Sequence, residues 1–212
     1  MKRLQAGFTL IELLVVIGII GLLAAAFLPD IIGSRLTANI AADSANLSKH
    51  YSWLTNYKTR LKHYPTEGGH KFVLDTWVKG VVEHTPQNIQ YYFTPGIRES
   101  DPHYLELSKA DAETIWVDLR SVSSMDTDYA GRAKEHLKGN IESGKEAWIA
   151  NDNENGWAFA DGSVNILFGD GSVRTLNFAE DLKEKYGWPN LETPMPTFGP
   201  DSPVPELKKL DR

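Results

Sequence analysis

A 21-residue apolar run, Phe8 to Leu28, carries a single ionisable side chain, Glu12. At ~1.5 Å rise per residue it makes a helix of roughly 31 Å, enough to cross the hydrocarbon core of a bilayer. An ionised carboxylate inside such a segment costs ~2.5–3.5 kcal/mol even on the translocon scale. A plain anchor has no use for it, so Glu12 needs a partner. Ahead of the run stands a short basic head with Lys2 and Arg3, ending in Gly7. Positive charge on that side keeps the head cytoplasmic and sends the bulk of the chain outward. A cut between Gly7 and Phe8 creates an α-amine four residues from Glu12, whose charge can pair with that carboxylate in the same chain or a neighbour.

The stretch Gly7-Phe8-Thr9-Leu10-Ile11-Glu12 resembles the class III signal of type IV pilins and type II secretion pseudopilins. The resemblance implies that Gly7 precedes the cleavage point, that Phe8 becomes the N-methylated first residue, and that Glu12 is the assembly glutamate. Pro29 falls where that family places its helix-kinking proline. It further implies three kinds of partner: a prepilin peptidase, other pilin or pseudopilin subunits, and an inner-membrane assembly platform. Three plainer readings compete. An ordinary signal peptide could use Ala24-Ala25-Ala26 as its cleavage site, but its apolar core is shorter and lacks a carboxylate. A generic membrane anchor explains neither Gly7-Phe8 nor Glu12. A buried helix of a soluble protein would show a polar face, which Leu13 to Leu28 lacks.

The chain has 212 residues and a formal charge of −6, and loss of Lys2 and Arg3 would take it to −8. After the N-terminal helix, enough chain remains for one domain with its own core. The acidic balance argues against nucleic acid as a partner, since such binding rests on a basic footprint. Cysteine is absent, which removes disulfide staples, thiol catalysis and cysteine zinc sites. Stability must come from the aromatic-rich core, subunit packing or a bound ion.

Beyond Pro29 the helix is expected to resume. Ile40, Leu47, Leu54 and Leu61 recur every seven residues, with Leu36 and Tyr51 in adjacent turns, an apolar stripe expected to pack on a sheet, with a two-stranded coiled coil as the alternative. Asn39, Asp43, Asn46, Lys49 and Asn56 read as its solvated face. Pro29 with Gly33 marks a flexible or locally melted stretch, and the helix ends before Pro65. Tyr64-Pro65-Thr66-Glu67-Gly68-Gly69 is a turn by composition and is similar to a stretch of the major pseudopilin of type II secretion. Lys71–Glu83 is ambiguous between helix and strand. Strands are expected at Asn88–Thr94, Thr114–Leu119 and Ala147–Ala150, with a helical stretch near Ala130–Leu137. A near-repeat, FADGSV then FGDGSV, puts Asp-Gly between alternating runs. It predicts a three-stranded antiparallel meander near 156–160, 164–168 and 172–177. One pilin-like group has a similar C-terminal hairpin with a His ten residues before its Asp-Gly; here Ala160 and Asn151 stand at those places. Phe178–Tyr186 reads as a short helix stopped by Gly187. The tail from Pro189 holds six of eleven prolines and is expected to be a strap or disordered.

The densest run of oxygen donors is Asn151–Gly156. Calcium takes such ligands, and the resemblance points to a C-terminal calcium loop, so a site from Asp152 and Glu154 with Asp161 or Asp170 is one reading. The bland reading is a solvated turn, with Asp161 and Asp170 serving turn geometry, and EF-hand spacing is absent. The six histidines lack metal-binding spacing and read as surface residues. No G-x-S-x-G elbow, P-loop or HExxH motif occurs, and no catalytic residues are assigned.

The expected fold is α+β: a long bent N-terminal helix (about 8–62), transmembrane in its first half, packed on an antiparallel sheet. Its parts are a leader (1–7), an assembly helix (8–29), its amphipathic continuation (30–63), a globular head (64–188) and a proline-rich tail (189–212). The expected function is a prepilin-like subunit of a type IV pilus or type II secretion pseudopilus. A minor subunit binding a surface or cargo, and more distantly a membrane-anchored periplasmic enzyme, are the alternatives.

Overall fold

A computed structural model describes residues 8–152 and 157–212. Its first element, α1, runs unbroken from Leu10 to Leu61, 52 residues. Pro29 and Gly33 lie inside it, and the stretch around them is helical throughout, so the expected melting is absent. A proline removes one backbone donor, and the Leu- and Ala-rich turns before it hold the helix through that gap. The Thr37 hydroxyl donates to the Gly33 carbonyl at 3.1 Å. The helix closes where Lys62 turns to positive φ (70°), its amide still bonded to the Lys58 carbonyl at 2.8 Å.

The chain divides into two compact units, residues 1–38 and 39–212. In the first, the described residues form only α1, and its large apolar side chains from Phe8 to Ile32 are exposed. It is long and apolar enough to cross a membrane.

The second unit is built on a five-stranded antiparallel sheet in the order β4-β3-β2-β1-β5. The strands are β1 Tyr129–Arg132, β2 Ala147–Asn151, β3 Val164–Phe168, β4 Val173–Leu176 and β5 Leu210–Asp211. The second Asp-Gly forms the expected β3–β4 hairpin: Gly171 takes φ 86°, and the Phe168 amide donates to the Ser172 carbonyl at 2.9 Å. The first does not. Residues 157–160 form no strand, residue 156 lies outside the described residues, and β2 pairs with β3 instead. Turn chemistry marks where the chain reverses, but the partner of β3 is chosen by burial. All five residues of β2 and of β3 are buried, as central strands require.

One face of the sheet carries the second half of α1, with Leu47, Leu54 and Tyr57 buried, and α2 (His70–Val78). The face expected to be solvated is not wholly so, because Asp43 and Asn46 are buried. The body beyond α2 corrects other expectations. Asn88–Thr94 is not a strand; Pro86 opens a helical turn to Ile89 that continues as a tighter one to Tyr92. Thr114–Leu119 is a run of turns, and Ala130–Leu137 is β1 followed by one tight helical turn, Lys134–His136. Their aromatic composition signals burial rather than pairing: Tyr92, Phe93 and Trp116 enter the core as ring contacts with Trp77 and Tyr104.

The other face is covered by the C-terminal tail. After a wide helical segment, Phe178–Lys185, the tail lays Met195, Val204, Leu207 and Leu210 on Val164, Ile166 and Phe168. It is ordered, with a short helical turn at Pro205–Lys209 before β5 pairs with β1. A sheet apolar on both faces needs a second layer, and prolines do not prevent an irregular segment from supplying it.

Candidate functional site

Residues 8–16 carry the features singled out in the sequence. Phe8 is 74% exposed just ahead of α1. Thr9 and Glu12 cap the helix reciprocally. The Thr9 amide and hydroxyl donate to Glu12 Oε2 at 2.9 and 2.6 Å, and the Glu12 amide donates to Thr9 Oγ1 at 3.3 Å. This is a capping box, T-x-x-E, which answers orphan amides of the first turn. Thr9 was missed as a site residue, although its spacing from Glu12 is the legible signal. Phe8, Ile11, Glu12, Val15 and Val16 share one shallow groove on the helix. Gly7 lies outside the described residues.

The candidate calcium donors are scattered in their roles. Asp161 accepts the Ser163 amide and hydroxyl at 3.0 and 2.9 Å, and Asp170 accepts those of Ser172 at 3.0 and 2.6 Å. Both serve their own turns. Asp152 is 2.8 Å from the Arg212 guanidinium, and Glu154 lies outside the described residues. Among the described residues no group of three or more His, Asp or Glu is placed to hold a metal.

The histidines are not all on the surface. His50 is fully buried on α1, with Nε2 2.8 Å from the Tyr91 carbonyl and its ring edge-on to Trp53, Tyr92 and Tyr129. Burial pulls it down to about 4, so the ring is neutral near pH 7. His103 bonds Asp126 at 2.9 Å, and Asp126 also accepts from Trp116 Nε1 and Ser123. All of these serve to fasten a loop.

The sequence also concealed a buried polar network between α1 and the sheet. Asp43 accepts from the Tyr129 hydroxyl at 2.6 Å and Asn165 Nδ2 at 2.8 Å. Asn165 also donates to the Ile40 carbonyl, and its amide meets Asn151 Oδ1. Nearby, burial raises Asp128 to about 7 despite a 2.8 Å bond from the Thr94 amide.

The turn after α1 is held by close backbone approach. Gly69, at φ 64°, donates to the Arg132 carbonyl at 3.0 Å. A Cβ on Gly131 would stand 2.1 Å from the Gly69 carbonyl oxygen. The Tyr64–Gly69 stretch thus joins the end of α1 to β1.

Residues 2–28 match the family model of the prokaryotic N-terminal methylation motif. The chain is similar to the type II secretion system core protein G of Dickeya chrysanthemi, 38% identical over 66 residues, which are 31% of this chain and 43% of that protein. Core protein G of Aeromonas hydrophila is 37% identical over 65 residues, 31% and 46% of the two chains. That of Escherichia coli K12 is 39% identical over 62 residues, 29% and 43%. The chain thus spans less than half the length of the curated relatives it matches. No solved structure matches it significantly. The prokaryotic N-terminal methylation motif thus stands on an anchor-length apolar helix, and an α+β body follows it in the chain.

Proposed function

We propose that this chain is a prepilin-like subunit of a type II secretion pseudopilus or a type IV pilus. A prepilin peptidase hydrolyses the Gly7–Phe8 peptide bond on the cytoplasmic side, and the new Phe8 amine then takes a methyl group from a sulfonium methyl donor, which leaves as the thioether. The subunit then leaves the membrane for a helical filament, its first helical half bundled with those of its neighbours. The observation that carries this reading is the methylation motif over residues 2–28, with Glu12 at the first turn of the apolar helix.

The capping box adds a step. In the isolated helix Glu12 is held by the amide and hydroxyl of Thr9, which spares a lone carboxylate during storage in the bilayer. In the filament core the Phe8 amine of a neighbour takes over as its partner. A buried charge without a partner is expensive, so a subunit out of register is penalised. The test is Glu12→Ala. Processing to Phe8, read by intact mass, should be normal, with filaments in the sheared fraction strongly reduced. Normal filament yield would refute the reading.

A minor subunit is favoured by one observation. The segment between Thr94 and Thr127 exposes Val117 (65%) and Met125 (57%), large apolar side chains suited to a contact. Abundance separates the readings, since a major subunit dominates sheared filaments and a minor one is scarce.

A further inference from the structure

The second unit has two ends of opposite charge, set by the direction of α1 along the sheet. Around Ile40 and Asp43 the helix lies by Tyr129 at the start of β1 and Asn165 in β3. By Tyr51 it has reached Trp148 at the start of β2, and Lys58 pairs with Glu142 in the loop between β1 and β2. The end of α1, the turn after it and that loop therefore share one end of the sheet. Residues 58–71 and 134–145 hold seven Lys or Arg against three carboxylates, in a chain of net charge −6.

A cleft of about 490 Å³ opens at this end, lined by Lys58, His63, Tyr64, Lys134, Leu137 and Lys138 among others. Lys134 pairs with Glu67 at 2.9 Å and Lys58 with Glu142. Among the described residues, no carboxylate pairs with Lys138. The lining combines apolar surface from Tyr64 and Leu137 with the cations Lys58, Lys134 and Lys138 and the carboxylate of Glu142.

The opposite end, at the start of β3 and the end of β4, has the converse pattern. Gly162 packs against Phe178 and Leu191: a Cβ there would meet Leu191 Cδ2 at 2.4 Å and Phe178 Cβ at 3.0 Å. The Leu191 carbonyl is held by Trp157 Nε1 at 3.0 Å. Asp161, Glu180 and Glu192, all exposed, each lie within two residues of this contact, and Leu191 itself is 39% exposed. Among the described residues none of the three carboxylates has an ion-pair partner.

We propose that the Lys134–Lys138 cleft of one copy receives the Asp161–Glu180–Glu192 face of a second copy. The contact is heterologous, joining different ends of identical heads, and a heterologous contact that does not close generates an open helical filament. Exposed pairs of this kind set register and partner choice more than affinity, while the apolar surfaces of the two faces meet alongside them. The inference rests on the filament reading above.

The chain contains no cysteine, so engineered pairs report contacts cleanly. Lys138→Cys with Glu192→Cys in the full-length protein, oxidised in sheared filaments, should give a ladder of disulfide-linked oligomers, and either substitution alone should not. Filaments without the ladder, or a dimer from Lys138→Cys alone, would overturn the end-to-end contact while leaving assembly intact. Absence of filaments from the unsubstituted chain would instead defeat the assembly reading, and the contact with it. As a second arm, Lys138→Glu should lower filament yield roughly tenfold, and Glu192→Lys in the same chain should restore it. Failure of that rescue counts against the contact.

Discussion

The Tyr129 hydroxyl, from the first residue of β1, donates a 2.6 Å hydrogen bond to the fully buried carboxylate of Asp43 on α1. Tyr57 on α1 makes the reciprocal link, donating at 2.6 Å to Asp75 of α2. Two Tyr–Asp bonds, reversed in direction, thus fasten the second half of the long helix to the body.

Removing the first link with Tyr129→Phe leaves Asp43 short of a donor where water cannot reach. The expected cost is about 1.5–3 kcal/mol, the range for a hydrogen bond to a charged or strongly polarised partner. Chemical denaturation of the detergent-solubilised chain measures it. An unchanged midpoint would show that Asn165 alone satisfies Asp43.

Two buried groups give stability opposite dependences on pH. Burial raises Asp128 to about 7, so the folded state holds its proton more tightly. That contribution is present below about 4 and is lost as pH rises through 7. Burial lowers His50 to about 4, so its contribution is present above the ordinary histidine range and is lost as pH falls through 4. Wild type compared with Asp128→Asn should therefore lose relative stability from pH 4 to 7. Wild type compared with His50→Gln should gain it from pH 4 to 6.5. Parallel curves for either pair would refute the assignment of that group.

The tail is an integral layer of the body. Leu207 is fully buried against the second face of the sheet, and Lys209 pairs with Glu146 at 2.7 Å. Leu207→Ala should cost about 2–5 kcal/mol. Proteolysis should then reach the sheet and not only the tail; trimming confined to residues beyond 189 would show that the layer is dispensable.

Gly131→Ala places a methyl group 2.1 Å from the Gly69 carbonyl oxygen, both atoms being anchored in backbone. Either the turn after α1 or β1 must move, and a loss of about 2 kcal/mol or more is expected. The neighbouring substitution Ala130→Gly, which adds no atoms, separates this clash from general sensitivity of the strand.

At the amino end, Thr9→Ala removes half of the capping box while leaving Glu12 in place. The expected outcome is normal cleavage after Gly7 with a frayed first helical turn, about 1 kcal/mol weaker. Assembly should stay well above that of Glu12→Ala. Equal defects from the two substitutions would mean that the cap, rather than the carboxylate's later partner, is what matters.

The candidate site was legible because it is local. The apolar run, the lone Glu12, the Gly7-Phe8 pair and even the T-x-x-E spacing lie within 22 consecutive residues, 7–28. Helix α1, α2 as one of two options, and the β3–β4 hairpin were readable from period and turn chemistry for the same reason. The body resisted such reading. Aromatic runs around Tyr92 and Trp116 have strand-like composition but spend their side chains on core rings, and composition does not distinguish the two uses.

By itself, the sequence determined the anchor-length helix, the methylation motif at its amino end and the presence of an α+β body, since each is a pattern along neighbouring residues. Tertiary structure alone decided that Asp43 and His50 are interior groups, that β2 and not residues 157–160 flanks β3, and that the tail closes the second face. Those outcomes depend on which distant segments meet: Asp43 finds Asn165, 122 residues away. A polar side chain on a helix is solvated or buried according to what lies opposite, and only the fold supplies that surface.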